Sequence, residues 1–294
     1  MSGKCFLCPR NCGADRKNGE LGFCRCGDLP VVARAAAHFG EEPCISGACG
    51  SGTVFFSGCN MQCVFCQNRE ISFDGRGKEV SVERLAQIFS ELEESGVHNI
   101  NLVTPTHFTN KIIEALKIAK PKIPVVWNSS AYENVETLKA LEGVIQVYMP
   151  DLKYTSADAA SRYSGAADYP SIAKSAIVEM YRQTGKFEVD DEGLLKSGVL
   201  IRHLILPNRI DDAFDVIDWI AESFPKKALL FSLMSQFVSL ADKAKFPELD
   251  RSLSREEFDR AQSYLTLSSI ENGYSQELSS ATDELIPSFD LTGV

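Results

Sequence analysis

Three cysteines fall in one short run, Gly58-Cys59-Asn60-Met61-Gln62-Cys63-Val64-Phe65-Cys66-Gln67-Asn68, spaced as Cys, three residues, Cys, two residues, Cys. Thiolates are the usual ligands of iron–sulfur clusters. Three on one tight loop can hold three irons of a four-iron cluster and leave the fourth iron open to a substrate or cofactor. The run directly follows the apolar stretch Thr53-Val54-Phe55-Phe56, where a strand would end. A three-cysteine zinc site completed by another ligand is the competing chemistry, but zinc modules rarely interrupt a strand–helix unit.

A second set of thiols lies upstream. Residues 1–50 hold seven of the ten cysteines. Cys5 and Cys8 are two residues apart, Cys12 follows after three, and Cys24 and Cys26 come later. The set Cys5, Cys8, Cys12 and Cys24 suits tetrahedral zinc or a second iron–sulfur cluster. Either would supply folding energy that a short loop-rich segment lacks. The plainer alternative is a group of solvent-exposed thiols. Cys26, Cys44 and Cys49 receive no assignment.

The elements that position these groups are legible from residue 52 onward. Apolar runs at 53–57, 99–104, 124–128, 144–149, 199–206 and 229–234 are continuous, as in strands covered on both faces. Helical patterns lie between them: Val82 to Leu92 with Ser81 as N-cap and Gly96 as the stop, then Ile112 to Leu116 ending near Pro121. Ile172 to Tyr181, closed by Gly185, and Phe214 to Ile220 continue the series, and Ser254 with Glu257 forms a capping box ahead of Phe258. Strands alternating with helices require parallel βαβ units. The expected fold is α/β: an open six-strand partial barrel, with the site at the C-terminal strand ends. A flat doubly wound sheet shares the same periodicity. The expected organisation is a Cys-rich metal-binding extension at 1–50, a barrel at 51–275 and a tail at 276–294, with a hairpin or flap at 186–197.

Composition narrows the partners. The 294 residues carry a net charge of −10 from 30 basic and 40 acidic side chains. That argues against nucleic acid and anionic membranes, which favour a basic surface. Lys4, Arg10, Arg16, Lys17 and Arg25 nevertheless crowd the N-terminus. No apolar run reaches the roughly eighteen residues of a membrane-spanning helix, and Met1-Ser2-Gly3-Lys4-Cys5 shows no signal-peptide core. Ten cysteines without an export signal predict metal ligands in a reducing cytoplasm rather than disulfides.

With these motifs in view, the chain resembles the radical S-adenosylmethionine (SAM) superfamily over about residues 44–270. The signature is the triple-cysteine spacing with an aromatic residue, here Phe65, before the last cysteine. Within the superfamily it looks most like relatives of the pyruvate formate-lyase-activating enzyme. The matching phrases are the lead-in from Gly50 to Gly58, then Pro150-Asp151-Leu152-Lys153, then Leu200-Ile201-Arg202-His203-Leu204-Ile205-Leu206-Pro207. The Cys-rich extension is absent from the minimal activator. The resemblance implies a [4Fe–4S] cluster on Cys59, Cys63 and Cys66 whose open iron chelates SAM. It further implies reductive cleavage to methionine and a 5′-deoxyadenosyl radical, with reduced flavodoxin or ferredoxin as electron donor.

The resemblance also implies roles residue by residue. Thr104-Pro105-Thr106-His107 stands where the family meets the methionyl amino group through backbone, which makes Thr104, Thr106 and His107 candidates; His107 is equally explained as a helix-start residue without a role. Asn128 and Ser129, followed by Ser130, match positions that approach the cofactor, although N-capping accounts for them as well. Asp151 and Lys153, two apart on an extended strand end, point to one side. They suit a zwitterion, Lys153 toward a carboxylate and Asp151 toward an amine or ribose hydroxyl; a surface ion pair is the alternative. Arg202, also a candidate cofactor contact, and His203 interrupt an apolar strand and need partners. One should face the interior and the other a helix or an interface. Gln236 stands where the activating enzymes place a histidine near the adenosine.

The leading expectation is therefore an enzyme that abstracts hydrogen from a protein glycine. A radical SAM enzyme acting on a small molecule or another protein residue is the second reading, and a non-catalytic iron–sulfur or zinc scaffold the third.

Overall fold

The computed structural model of the chain describes residues 4–278 and 287–294. Met1 to Gly3 and residues 279–286 of the expected tail lie outside the described residues. Ten strands occur among them: β1 Val31–His38, β2 Ser51–Phe56, β3 Lys78–Glu79, β4 Ile100–Val103, β5 Val125–Ser129, β6 Val147–Pro150, β7 Glu188–Val189, β8 Leu195–Leu204, β9 Leu230–Met234 and β10 Gly273–Ser275. They form one sheet in the order β10-β9-β8-β6-β5-β4-β2-β1-β3, with β7 on β8. Pairing is parallel from β2 through β10 along that path and antiparallel for β1 on β2, β3 on β1 and β7 on β8. The six expected strands are β2, β4, β5, β6, β8 and β9. Every residue of β2, β4, β6 and β9 is buried, which explains their unbroken apolar character. The sheet does not close among the described residues, so the expected partial barrel holds.

Helices connect the parallel strands: α1 Pro43–Ser46, α2 Arg69–Ser72, α3 Val82–Glu94, α4 Thr109–Ala119, α5 Val135–Lys139, α6 Ala157–Ser164, α7 Tyr169–Thr184, α8 Ile210–Ser223 and α9 Arg255–Leu267. Their ends follow local chemistry. The Ser81 hydroxyl accepts the Arg84 amide to start α3, and Ser254 with Glu257 forms the full capping box of α9. Gly185, at φ +69°, ends α7. The 186–197 segment is the β7–β8 hairpin. Among the described residues no helix is long and apolar enough to cross a membrane.

Two features were not among the expected elements. Residues 287–294 lie along β1, with the Ala35 amide donating to Thr292 O at 2.8 Å and the Leu291 amide to Ala33 O at 3.0 Å. The Phe289 ring then meets Phe55 of β2 edge-on at 5.5 Å. In addition, β1 joins the sheet although it lies within residues 1–50. Upstream of it the N-terminal extension closes as a small hairpin, Cys5 N to Ala14 O at 2.9 Å and Gly13 N to Cys5 O at 3.1 Å.

The extension docks on the start of the triad loop. Arg16 is buried and donates to His107 O at 2.5 Å and to Cys24 Sγ at 2.8 Å. The His107 ring in turn donates from Nε2 to Ser57 O at 2.8 Å, while Nδ1 is enclosed without a partner. Burial, with Arg16 nearby, pushes the His107 pKa from 6.5 down to about 4. The unfolded chain therefore takes up this proton first. The contribution to stability is complete above about pH 6.5 and is lost as pH falls through 4, about 3 kcal/mol in all. Between pH 7.5 and 4, anaerobic urea unfolding should show the parent protein losing about 3 kcal/mol more than His107→Gln; parallel pH profiles would refute the assignment.

Candidate functional site

The C-terminal ends of the parallel strands surround a cavity of about 240 Å³. Six strand ends contribute to it: Cys59, Cys63, Phe65 and Cys66 beyond β2, Thr104 and Thr106 beyond β4, and Asn128, Ser129 and Ser130 at β5. Asp151 and Lys153 follow β6, Arg202 lies on β8 and Gln236 beyond β9. The structure thus brings together every expected site residue outside the N-terminal extension except His107, whose ring is turned to Ser57. Phe55, Val103, Leu204, Met234 and Pro287 supply apolar wall.

The triad loop turns at Gly58, where φ is +79° and a Cβ would lie 2.3 Å from Cys26 Sγ. Only glycine fits that approach, which gives the unassigned Cys26 a place behind the loop. Each triad sulfur receives a hydrogen bond: the Met61 amide to Cys59 at 3.3 Å, the Ser164 hydroxyl to Cys63 at 3.0 Å, and the Ser72 hydroxyl to Cys66 at 3.4 Å. Burial, and then the neighbouring Cys63 and Cys66, push the Cys59 thiol up to about 12. Three sulfurs on one cavity wall, mutually repelling as bare thiolates and each served by a donor, are a donor set that cluster irons would neutralise. The residues present fit a [4Fe–4S] cluster.

Beside the triad, Lys153 Nζ donates to Asp151 Oδ2 at 2.6 Å. Burial alone would push the Lys153 ammonium down, but the charges of Asp151 and Cys63 hold it above its ordinary value. The Tyr169 hydroxyl accepts the Lys153 amide at 2.9 Å and donates to Asp151 O at 2.7 Å, fixing this strand end. Thr104 sits at φ +59°, a left-handed conformation that costs a β-branched residue free energy. Its strain turns the chain after β4 toward the cavity. Thr106 Oγ1 donates to Glu133 at 3.0 Å, and Trp127 Nε1 donates to the same carboxylate at 2.9 Å. Burial raises the Glu133 pKa.

The two polar residues of β8 part company. Arg202 faces the cavity and is bound by two carboxylates, Glu41 and Glu42, with its Nε 2.9 Å from Glu42 Oε1. Asn101 Nδ2 donates to Glu41 at 2.9 Å. Despite burial, Arg202 keeps the Glu42 carboxyl below its usual range. His203 points away, its Nδ1 2.7 Å from Leu152 O. Glu41, Glu42 and Glu133 had no signal in the sequence, where each reads as an ordinary surface acid.

In the N-terminal extension, Cys8 and Cys24 are buried, Cys5 is half-buried and Cys12 is exposed. The Cys12 and Cys24 sulfurs each lie 3.3 Å from the point where a Gly22 Cβ would stand. Burial raises the Cys5 thiol, and the charges of Cys12 and Cys24 add to it; Cys8 is pushed to about 11, likewise by burial and by Cys24 and Cys5. Among the described residues no three His, Cys, Asp or Glu side chains converge tightly enough for a single metal ion. Cys44 is buried and Cys49 exposed.

Comparison with known proteins bears on this geometry. The model of the Radical SAM superfamily matches residues 53–169, from β2 through the triad to the start of α7. The uncharacterized protein MJ0674 of Methanocaldococcus jannaschii is 30% identical over 267 residues, 87% of this chain and 72% of that protein. Among solved structures, Streptococcus suis SuiB aligns with a TM-score of 0.51 at 14% identity over 76% of this chain, a likeness of fold alone. SuiB bound to S-adenosylmethionine aligns at 0.48, with 16% identity over 78% of this chain. The chain spans 48% of the SuiB length in both cases, about half. The matched span contains the cysteine loop and the strands that aim it, and the chain belongs to the radical SAM superfamily.

Proposed function

We propose that Cys59, Cys63 and Cys66 hold a [4Fe–4S] cluster beside a SAM site in the strand-end cavity, and that the enzyme abstracts hydrogen from a glycine of a protein partner. The observation that carries the reading is the convergence of three thiols and the Asp151–Lys153 pair on one cavity. Cluster and SAM together supply reductive formation of methionine and a 5′-deoxyadenosyl radical, with reduced flavodoxin or ferredoxin as electron source. The chain's own residues bind and shield. Lys153 faces the methionyl carboxylate, Asp151 the amine or a ribose hydroxyl, and the Thr104 turn offers backbone. Thr106, Asn128, Ser129, Arg202 and Gln236 line the remaining polar wall. Phe55, Val103, Leu204 and Met234 exclude water and unwanted hydrogen donors. His107 is left out of this set by its position.

Reduced, reconstituted protein should release 5′-deoxyadenosine from SAM, and Cys63→Ala should abolish the release. Lys153→Met should weaken SAM binding by roughly tenfold or more, as expected when a largely desolvated charged partner is removed. No release from the reduced, reconstituted parent protein would return the chain to a scaffold role, and release from Cys63→Ala at the parent rate would remove Cys63 from the cluster ligands.

The glycine substrate is supported by the likeness of Gly50–Gly58, Pro150–Lys153 and Leu200–Pro207 to activating enzymes. A small-molecule substrate is the second reading, favoured by the modest cavity and by Pro287 on its wall. Electron paramagnetic resonance of candidate glycyl-radical partners after anaerobic incubation separates the two: a carbon-centred glycine radical is expected, and its absence from every partner tested favours the small molecule.

The N-terminal thiols Cys5, Cys8, Cys12 and Cys24 form a second proposed metal centre, zinc or iron–sulfur, in a protein of the reducing cytoplasm. Anaerobic metal analysis should find about eight irons per chain, or about four irons and one zinc. About four irons alone would leave these four cysteines as free thiols.

A further inference from the structure

Arg10 does more for the triad loop than its place in a loop-rich extension suggests. Its guanidinium donates to three backbone carbonyls at once: Asn60 O inside the triad loop at 2.7 Å, Gly165 O at 2.6 Å and Ser164 O at 2.8 Å. The group also lies 4.0 Å over the Phe23 ring and 5.2 Å from that of Tyr132. Ser164 and Gly165 end α6, where the last carbonyls lack intrahelical partners and a cation is favoured. The preceding carbonyl, Tyr163 O, accepts the Val64 amide at 2.9 Å. One planar fork therefore joins the end of α6 to the loop that carries the cysteines. Lysine, with a single ammonium, cannot reproduce that fork.

The consequence reaches a sulfur. Ser164, whose carbonyl Arg10 holds, donates its hydroxyl to Cys63 Sγ at 3.0 Å and is itself 2.9 Å from the Tyr154 hydroxyl. The residue is buried, so the angle at which its hydroxyl meets the sulfur follows the placement of the α6 terminus.

We propose that Arg10 is a positioning residue for the cysteine loop, clamping the α6 C-terminus against Asn60 so that Ser164 hydrogen-bonds the Cys63 sulfur. The proposal rests on the reading of Cys63 as a cluster ligand. A hydrogen bond to a ligating sulfur stabilises the more negative, reduced cluster and raises its potential. The N-terminal extension then tunes the redox centre through a side chain that touches neither cluster nor cofactor.

The test is a double-mutant cycle on reconstituted protein, read by redox titration of the reduced-cluster resonance. Ser164→Ala should shift the midpoint to more negative potential. Arg10→Ala should shift it the same way, Arg10→Lys by less, and the double variant no further than Ser164→Ala. An iron-replete Arg10→Ala protein with the parent midpoint, or a double variant whose shifts simply add, would overturn the proposal. Amide exchange in the metal-free protein provides an arm independent of iron: Val64 N–H should exchange faster in Arg10→Ala. Unchanged exchange there would overturn the clamp, whereas faster exchange in a protein that binds no iron would retain the clamp and reject the cluster.

Discussion

Between Ser57 and Asn68 the chain has neither helix nor strand, yet this stretch must hold three sulfurs on one cavity wall. A loop has no ladder for its own peptide groups, so each buried one needs a partner from elsewhere. Those partners arrive from several directions. The Ser57 amide reaches Val31 O at the start of β1, the Gly58 amide reaches Ile71 O in α2, and the Val64 amide reaches the end of α6. The Ser57 carbonyl takes the His107 ring from beyond β4, and Asn60 O takes Arg10 from the N-terminal extension. Extension, sheet and helices converge on one irregular segment, and the rest of the molecule serves as its frame.

Two groups of charges flank the cavity and differ in consequence. Asp151 and Lys153 are paired to each other with about a fifth of each side chain exposed, 22% and 21%. A zwitterionic ligand can take over both halves without leaving either charge unpartnered, so the exchange costs little. Arg202 is different, because Glu41 and Glu42 enclose it and all three side chains are nearly buried. Removing one partner there would leave an uncompensated buried charge, a loss of about 3–5 kcal/mol. The first pair is suited to binding, and the second fixes a cavity wall.

What the sequence made legible follows from the range of the interactions. Strands buried on both faces announce themselves as apolar runs, and caps such as Ser81 and the Ser254–Glu257 box act within a few residues. The cysteine loop is likewise a local pattern, and so are Asp151 and Lys153, whose shared direction follows from strand geometry. Glu41 and Glu42 meet Arg202 across about 160 residues of chain, and no local pattern encodes that. Nor does any pattern show that residues 287–294 would run beside β1. His107 shows the reverse case. A histidine just past a strand end fits a cofactor contact, but its ring was needed to satisfy Ser57 O.

The N-terminal basic crowding shows how far composition and surface can diverge. Of Lys4, Arg10, Arg16, Lys17 and Arg25, the three arginines are turned to the protein's own backbone. Arg10 holds Asn60, Ser164 and Gly165, Arg16 holds His107, and Arg25 donates to Phe73 O at 2.8 Å just after α2. A guanidinium spent on carbonyls is a poor phosphate ligand, because its donors are already directed. Cations that by composition alone would suit a nucleic-acid patch instead bind Asn60 O of the cysteine loop and carbonyls of the segments around it. The same arrangement accounts for Gly58: Cys26 and the Cys24 carbonyl press so closely on the turn that no side chain fits. The N-terminal extension is thereby part of the site's architecture rather than an appendage to it.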